Sequence, residues 1–136
     1  DLGDHNYQLV RNARKFEYAT LAFEAIYQLG AGLSYLERVG IERIEEHTVA
    51  LADRLRRGLA ERKLVLRTPA GNRSSIVAFE NPRSPEDAAR ILREARVQVS
   101  LREKGTQIRV APALFNNAEE IDAFLKVAEK LASPGA

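Results

Sequence analysis

The chain has 136 residues, 45% of them hydrophobic, which is enough for one core of moderate size. Its 21 basic and 19 acidic residues leave a net charge of +2, too even a balance for a nucleic-acid footprint, so binding must come from a local site. With no cysteine, disulfides, thiolate metal sites and cysteine nucleophiles are excluded.

No apolar run approaches the roughly 18 residues of a membrane span, and DLGDHNYQLV lacks the apolar centre of a signal peptide. A soluble, cytoplasmic protein is expected, with neither membrane nor nucleic acid as partner. The chain starts at Asp1 and holds no methionine, which we read as a processed chain, a cloned piece or part of a longer protein.

Residues 1–17, broken by Gly3, Asp4, Asn6 and Asn12, predict an extended arm. A single α+β domain is expected over 18–132, with 133–136 as a frayed tail. From Thr20, Ala22, Ile26, Leu29, Leu33 and Leu36 recur at helical steps, and Gly40 closes the segment. Gly30, Ala31 and Gly32 within it predict a close approach by a neighbouring element. A second helix carries Ile44, Leu51, Leu55 and Leu59 on one face.

Leu64–Leu66 predicts a short strand and Ser74–Glu80 a better one. Ser84, Pro85, Glu86 and Asp87 form a helix start, with a hydroxyl cap, a proline whose missing N–H costs nothing, and acids facing the positive end of the dipole. That helix should bury Ala88, Ile91 and Leu92 and end near Ala95. Val97–Leu101 and Gln107–Ala111 read as strands joined by a turn at REKG. Asn117 and Glu120 form a capping box for a last helix that buries Ile121, Phe124, Leu125, Ala128 and Leu131. The order α-α-β-β-α-β-β-α predicts an α+β fold, a small antiparallel or mixed sheet covered on one face by helices.

Among candidate site residues, Arg109 alternates with Ile108 and Val110 and so points away from the face those two bury. Its guanidinium fork suits a carboxylate, either a substrate's or that of a nearby glutamate. Arg102 has the same two readings. His47, three after Ile44, is expected to be hydrogen bonded at the core margin, and His5 lies in the arm. Lys15, Lys63, Lys104, Lys126 and Lys130 stand in surface contexts, unlike the desolvated amine of a Schiff-base lysine. From residues alone, a stand-alone, non-catalytic α+β module for a small ligand or a protein partner stays open beside an enzyme.

The segments RKFEYATLAF (14–23), LERVGIERIEEHTVALADRLRRGL (36–59) and VQVSLREKGTQIRVAPALFNNAEEID (97–122) resemble, in this order, the C-terminal part of class V aminotransferases. These are fold-type I pyridoxal-phosphate enzymes, among them cysteine desulfurases, kynureninase and isopenicillin N epimerase-like proteins. The resemblance implies that Arg109 falls on the arginine that grips a substrate's α-carboxylate; Arg102, read from its residue type alone, remains a second substrate-binding candidate. It also implies that Thr20, in a match of Phe16, Glu17 and Thr20 to the family's "FE.GT", is similar to a threonine reaching the cofactor phosphate of the partner subunit in a homodimer.

Ala19 replaces that motif's glycine, and Ala111, Ala113, Phe115 and Asn117 replace the usual serine, histidine, tyrosine and threonine of the last motif. The family's large domain, with its cofactor lysine, is not in this sequence, so the fragment alone is expected to be inactive on amino acids. Desulfurases of the family carry a nucleophilic cysteine between the last two strands. The short REKGTQ connection and the lack of cysteine imply a kynureninase-like or isopenicillin epimerase-like member, or an aminotransferase proper, instead.

Overall fold

The computed structural model describes residues 10–17 and 19–133, so most of the predicted arm, His5 and the tail beyond Ser133 lie outside the described residues. The chain divides into two units, Asp1–Val39 and Gly40–Ala136. In the first, the Asn12 side chain accepts from the Arg14 N–H and caps a 3-10 turn, Ala13–Phe16. Helix α1, Phe23–Val39, follows. Its apolar residues Ile26, Leu29 and Leu33 are exposed. A methyl group at Gly30 or Gly32 would meet nothing within 4 Å among the described residues, so the close approach expected at these glycines is not formed among them.

The second unit starts at Gly40, whose φ of +95° suits a glycine between two helices. Helix α2, Ile41–Glu61, buries Leu51, Ala52, Leu55, Gly58 and Leu59, the spacing of an amphipathic stripe. The Thr48 hydroxyl, also on this side, donates to the Ile44 carbonyl at 2.8 Å. Helix α3, Pro85–Glu94, starts as predicted: the Ser84 hydroxyl accepts from the Asp87 N–H at 3.1 Å, with Pro85 in the first turn. Helix α4, Ala118–Ala132, has both halves of the capping box and buries Val127 besides the five residues expected. At its other end the Arg83 fork donates to the carbonyls of Lys130 and Leu131, each at 3.0 Å, and to that of Ser133. A cation at a helix C-terminus satisfies free carbonyls and opposes the dipole.

Three strands, β1 (Val77–Glu80), β2 (Ser100–Arg102) and β3 (Gln107–Val110), form a sheet in the order β1-β3-β2. Both pairings are antiparallel. The predicted strand at 64–66 is present as one bridge, Leu66 to Phe79, with the Glu80 N–H donating to Val65 O and the Arg67 N–H to Ala78 O. The ladder stops there because the Ala78 N–H is taken by the Thr68 hydroxyl at 2.7 Å, not by a backbone carbonyl. Val97 and Val99 pack against the core from outside the ladder, so β2 starts later than the apolar pattern suggested.

Val77, Phe79, Ile108 and Val110 share one sheet face and form a core with α2, α3 and α4. Phe79 is fully buried and meets Phe124 edge to face, with ring centroids 6.4 Å apart. Helices α2 and α4 pack most tightly at Gly58, where a Cβ would lie 2.3 Å from a Leu125 methyl. Gly58→Val is therefore expected to lower stability by about 1–3 kcal/mol through overpacking, measured by denaturant unfolding of this chain. An unchanged midpoint would show that Leu125 can move aside.

The same two helices are joined outside the core by Arg54, which donates to both Asp122 oxygens at 2.6 and 2.7 Å. Hydrogen bonding by Arg54 lowers the Asp122 pKa below the ordinary aspartate range. The native carboxyl then binds a proton less readily than the unfolded one. Its contribution to stability is present above the ordinary aspartate pKa and is lost as pH falls through the lower native value. Asp122→Asn should accordingly flatten the acid limb of a melting-temperature profile measured below pH of about 4. An acid limb identical to the parent's would assign that limb to other groups.

Candidate functional site

The face of the sheet opposite the core carries the polar residues of the strands. Alternation along β3 turns Ile108 and Val110 inward and Gln107 and Arg109 outward. The register places Ala78 and Ser100 on either side of Arg109, and Glu80 and Arg102 on either side of Gln107. Val65 and Arg67 extend this face beyond β1. Within the unit, α2, α3 and α4 contribute their buried residues to the opposite side.

Arg109 is half-buried, and its Nη2 donates a long hydrogen bond of 3.4 Å to the Ser100 hydroxyl. Among the described residues it forms no ion pair, unlike Arg54, Arg56, Arg62, Arg67, Arg73 and Arg90. Arg102 is exposed at the end of the edge strand and also forms no ion pair among the described residues. The carboxylate on this face, Glu80, is held by Arg67 at 2.5 Å. Two guanidinium groups thus share an open surface from which the local acid has been taken.

The frame around Arg109 is well tied. The turn after β2 runs through Glu103, Lys104 and Gly105 at φ of 49°, 56° and 90°. Only a glycine fits its last position, because a Cβ there would lie 2.5 Å from Pro85. Asn81 anchors the turn: its Nδ2 donates to Gly105 O and its N–H to Thr106 O, both at 2.8 Å. After β3, the Asn116 side chain accepts from the Ala113 N–H at 2.8 Å. His47 Nε2 donates to the Asn116 carbonyl, also at 2.8 Å, which makes it the protonated ring nitrogen. His47 is thus hydrogen bonded as expected, though it lies exposed at the surface, and it fixes the loop that ends β3.

A cleft of about 390 Å³ opens elsewhere, lined by Val97, Val99, Pro112, Ile121, Phe124 and Val127 among others, and Arg109 does not reach it. Thr20 lies in an exposed bend of the first unit. Sequence reasoning passed over Ser100, Gln107 and Glu80 as companions of Arg109. For Ser100 and Gln107 the signal was available, since a hairpin closing at Arg102 and Gln107 fixes the parity of β2 and β3, whereas Glu80 enters through the separate pairing of β1.

The fold agrees with what the chain matches. Aminotransferase class-V covers residues 2–124. The chain belongs to the class V aminotransferase family. It is similar to a probable cysteine desulfurase of Pyrococcus abyssi, 29% identical over 140 residues, covering 92% of this chain and 35% of that protein. It is also similar to the uncharacterized aminotransferase YcbU of Bacillus subtilis, 32% identical over 110 residues, covering 80% of this chain and 29% of that protein. The apo structure of the cysteine desulfurase from Thermococcus onnurineus NA1 superposes with a TM-score of 0.81 at 27% identity, over 97% of this chain and 36% of that one.

The chain spans about a third of the length of these relatives. Two of them bear the desulfurase name, where the sequence had suggested another branch of the family. The β2 to β3 connection is nevertheless only Glu103–Thr106, and no cysteine occurs in the sequence.

Class V aminotransferases are pyridoxal-phosphate enzymes, and the cofactor needs a lysine withdrawn from water. Lys15, Lys63, Lys104, Lys126 and Lys130 are all exposed. The residues of this chain do not by themselves fit the cofactor. Among the described residues there is also no cluster of three or more His, Asp or Glu able to hold a metal.

Proposed function

We propose that this chain is the C-terminal part of a pyridoxal-phosphate-dependent, cytoplasmic class V enzyme that acts on an amino acid, and that Arg109 is its carboxylate anchor. One observation carries the reading: among the described residues the Arg109 guanidinium, on the sheet face opposite the core, has no acidic partner and makes only a long hydrogen bond to Ser100. A guanidinium in that setting keeps both parallel N–H donors available. Two such contacts fix a carboxylate in position and in plane, which an enzyme needs in order to hold one substrate bond in a chosen direction.

A lysine-bearing large domain completes the site, and Thr20 meets the cofactor phosphate across a homodimer. The exposure of all five lysines and of Thr20 supports a site finished by other polypeptide. The test is amino-acid saturation kinetics of Arg109→Ala in the intact enzyme, with cofactor absorbance as the control for an assembled site. A strong rise in KM with the absorbance band intact is expected. An unchanged KM removes Arg109 from the site.

A further inference from the structure

The second guanidinium on the open face narrows the substrate class. Arg102 is two residues along β2 from Ser100, the direct partner of Arg109, and is therefore the diagonal neighbour of Arg109 on the same face. Such neighbours stand about 7–8 Å apart at the backbone, within reach of one another's long side chains. Neither arginine is neutralised among the described residues. Glu80 is occupied by Arg67 at 2.5 Å, and the neutral Gln107 lies between Glu80 and Arg102 in the strand register. The face therefore carries two arginines at diagonal register positions, with the Ser100 hydroxyl beside the Arg109 fork.

Resting on the reading of Arg109 as α-carboxylate anchor, we infer that Arg102 receives a second carboxylate and that the preferred substrate is a dicarboxylic amino acid. A single carboxylate would leave one guanidinium unmatched, whereas a substrate with acids at both ends spans the diagonal. The competing role for Arg102 is that of a solvated charge guarding an edge strand against further pairing.

The two roles separate in the intact enzyme. The quantity measured is the ratio of kcat/KM for glutamate to that for glutamine, and for aspartate to asparagine, since each pair differs in charge but hardly in shape. Arg102→Gln is expected to lower one of these ratios by about tenfold or more, and Arg102→Lys by less, because the ammonium keeps the charge without the fork. Arg109→Ala should depress the acidic and the neutral member together. Ratios for Arg102→Gln within about twofold of the parent's overturn the inference while leaving Arg109 in place. A parent enzyme that prefers the neutral members overturns it as well. No effect of Arg109→Ala on either member instead defeats the reading beneath it.

Discussion

Arg109→Ala in the intact enzyme should raise KM for the amino acid by about 30-fold or more, the loss expected when one partner of a hydrogen-bonded charge pair is truncated in a desolvated site, at about 2–5 kcal/mol. The alanine removes both parallel donors at once, and the neighbouring Ala78 and Ser100 offer no cation to replace them. The strand should survive the change, because Arg109 contributes to the polar face and not to the core. Arg109→Lys should fall between parent and alanine, since a single ammonium restores charge but not the two-point grip. Saturation kinetics on the three proteins, with cofactor absorbance followed in each, decide the matter. Three similar KM values would mean that the substrate carboxylate is held elsewhere.

The largest effect on stability is expected at Phe79. Its ring is fully buried, lies edge-on to Phe124 and pairs across strands with Ile108 and Leu66, so it joins the sheet to α4 at the centre of the unit. Phe79→Ala should cost about 3–5 kcal/mol, against a total of about 5–15 kcal/mol for a typical domain. For a unit of this size the melting temperature should drop by more than about 10 °C, read by calorimetry or circular dichroism. Val65→Ala is the matched control. Val65 lies on the open face at 52% exposure, and its truncation should stay within about 0.5 kcal/mol. Equal losses at the two positions would contradict the assignment of core and open faces.

Local signals were legible because they depend on neighbours in the chain. The Ser84 and Asn117 caps, the inward stripes of α2 and α4 and the outward parity of Arg109 all follow from helix and strand periods together with capping chemistry. Signals that depend on a partner were not. The apolar run at 64–66 pairs at one bridge because the Thr68 hydroxyl competes for the next donor. Among the described residues a Cβ at Gly30 or Gly32 meets nothing within 4 Å, because a glycine only permits a close approach and the partner must be supplied by packing.

For the site the division is the same. The sequence by itself determined that Arg109 leaves the core and that family and fold are those of class V aminotransferases. Alternation and the order of motifs are properties of the chain. Only the tertiary structure decided which residues surround that guanidinium. Ser100 and Arg102 come beside it through strand register, and Glu80 is withdrawn from it by Arg67. Whether an arginine is neutralised or free to grip a carboxylate depends on what stands within a few ångströms across strands. Long-range pairing sets that distance, and the residue's own position in the chain does not.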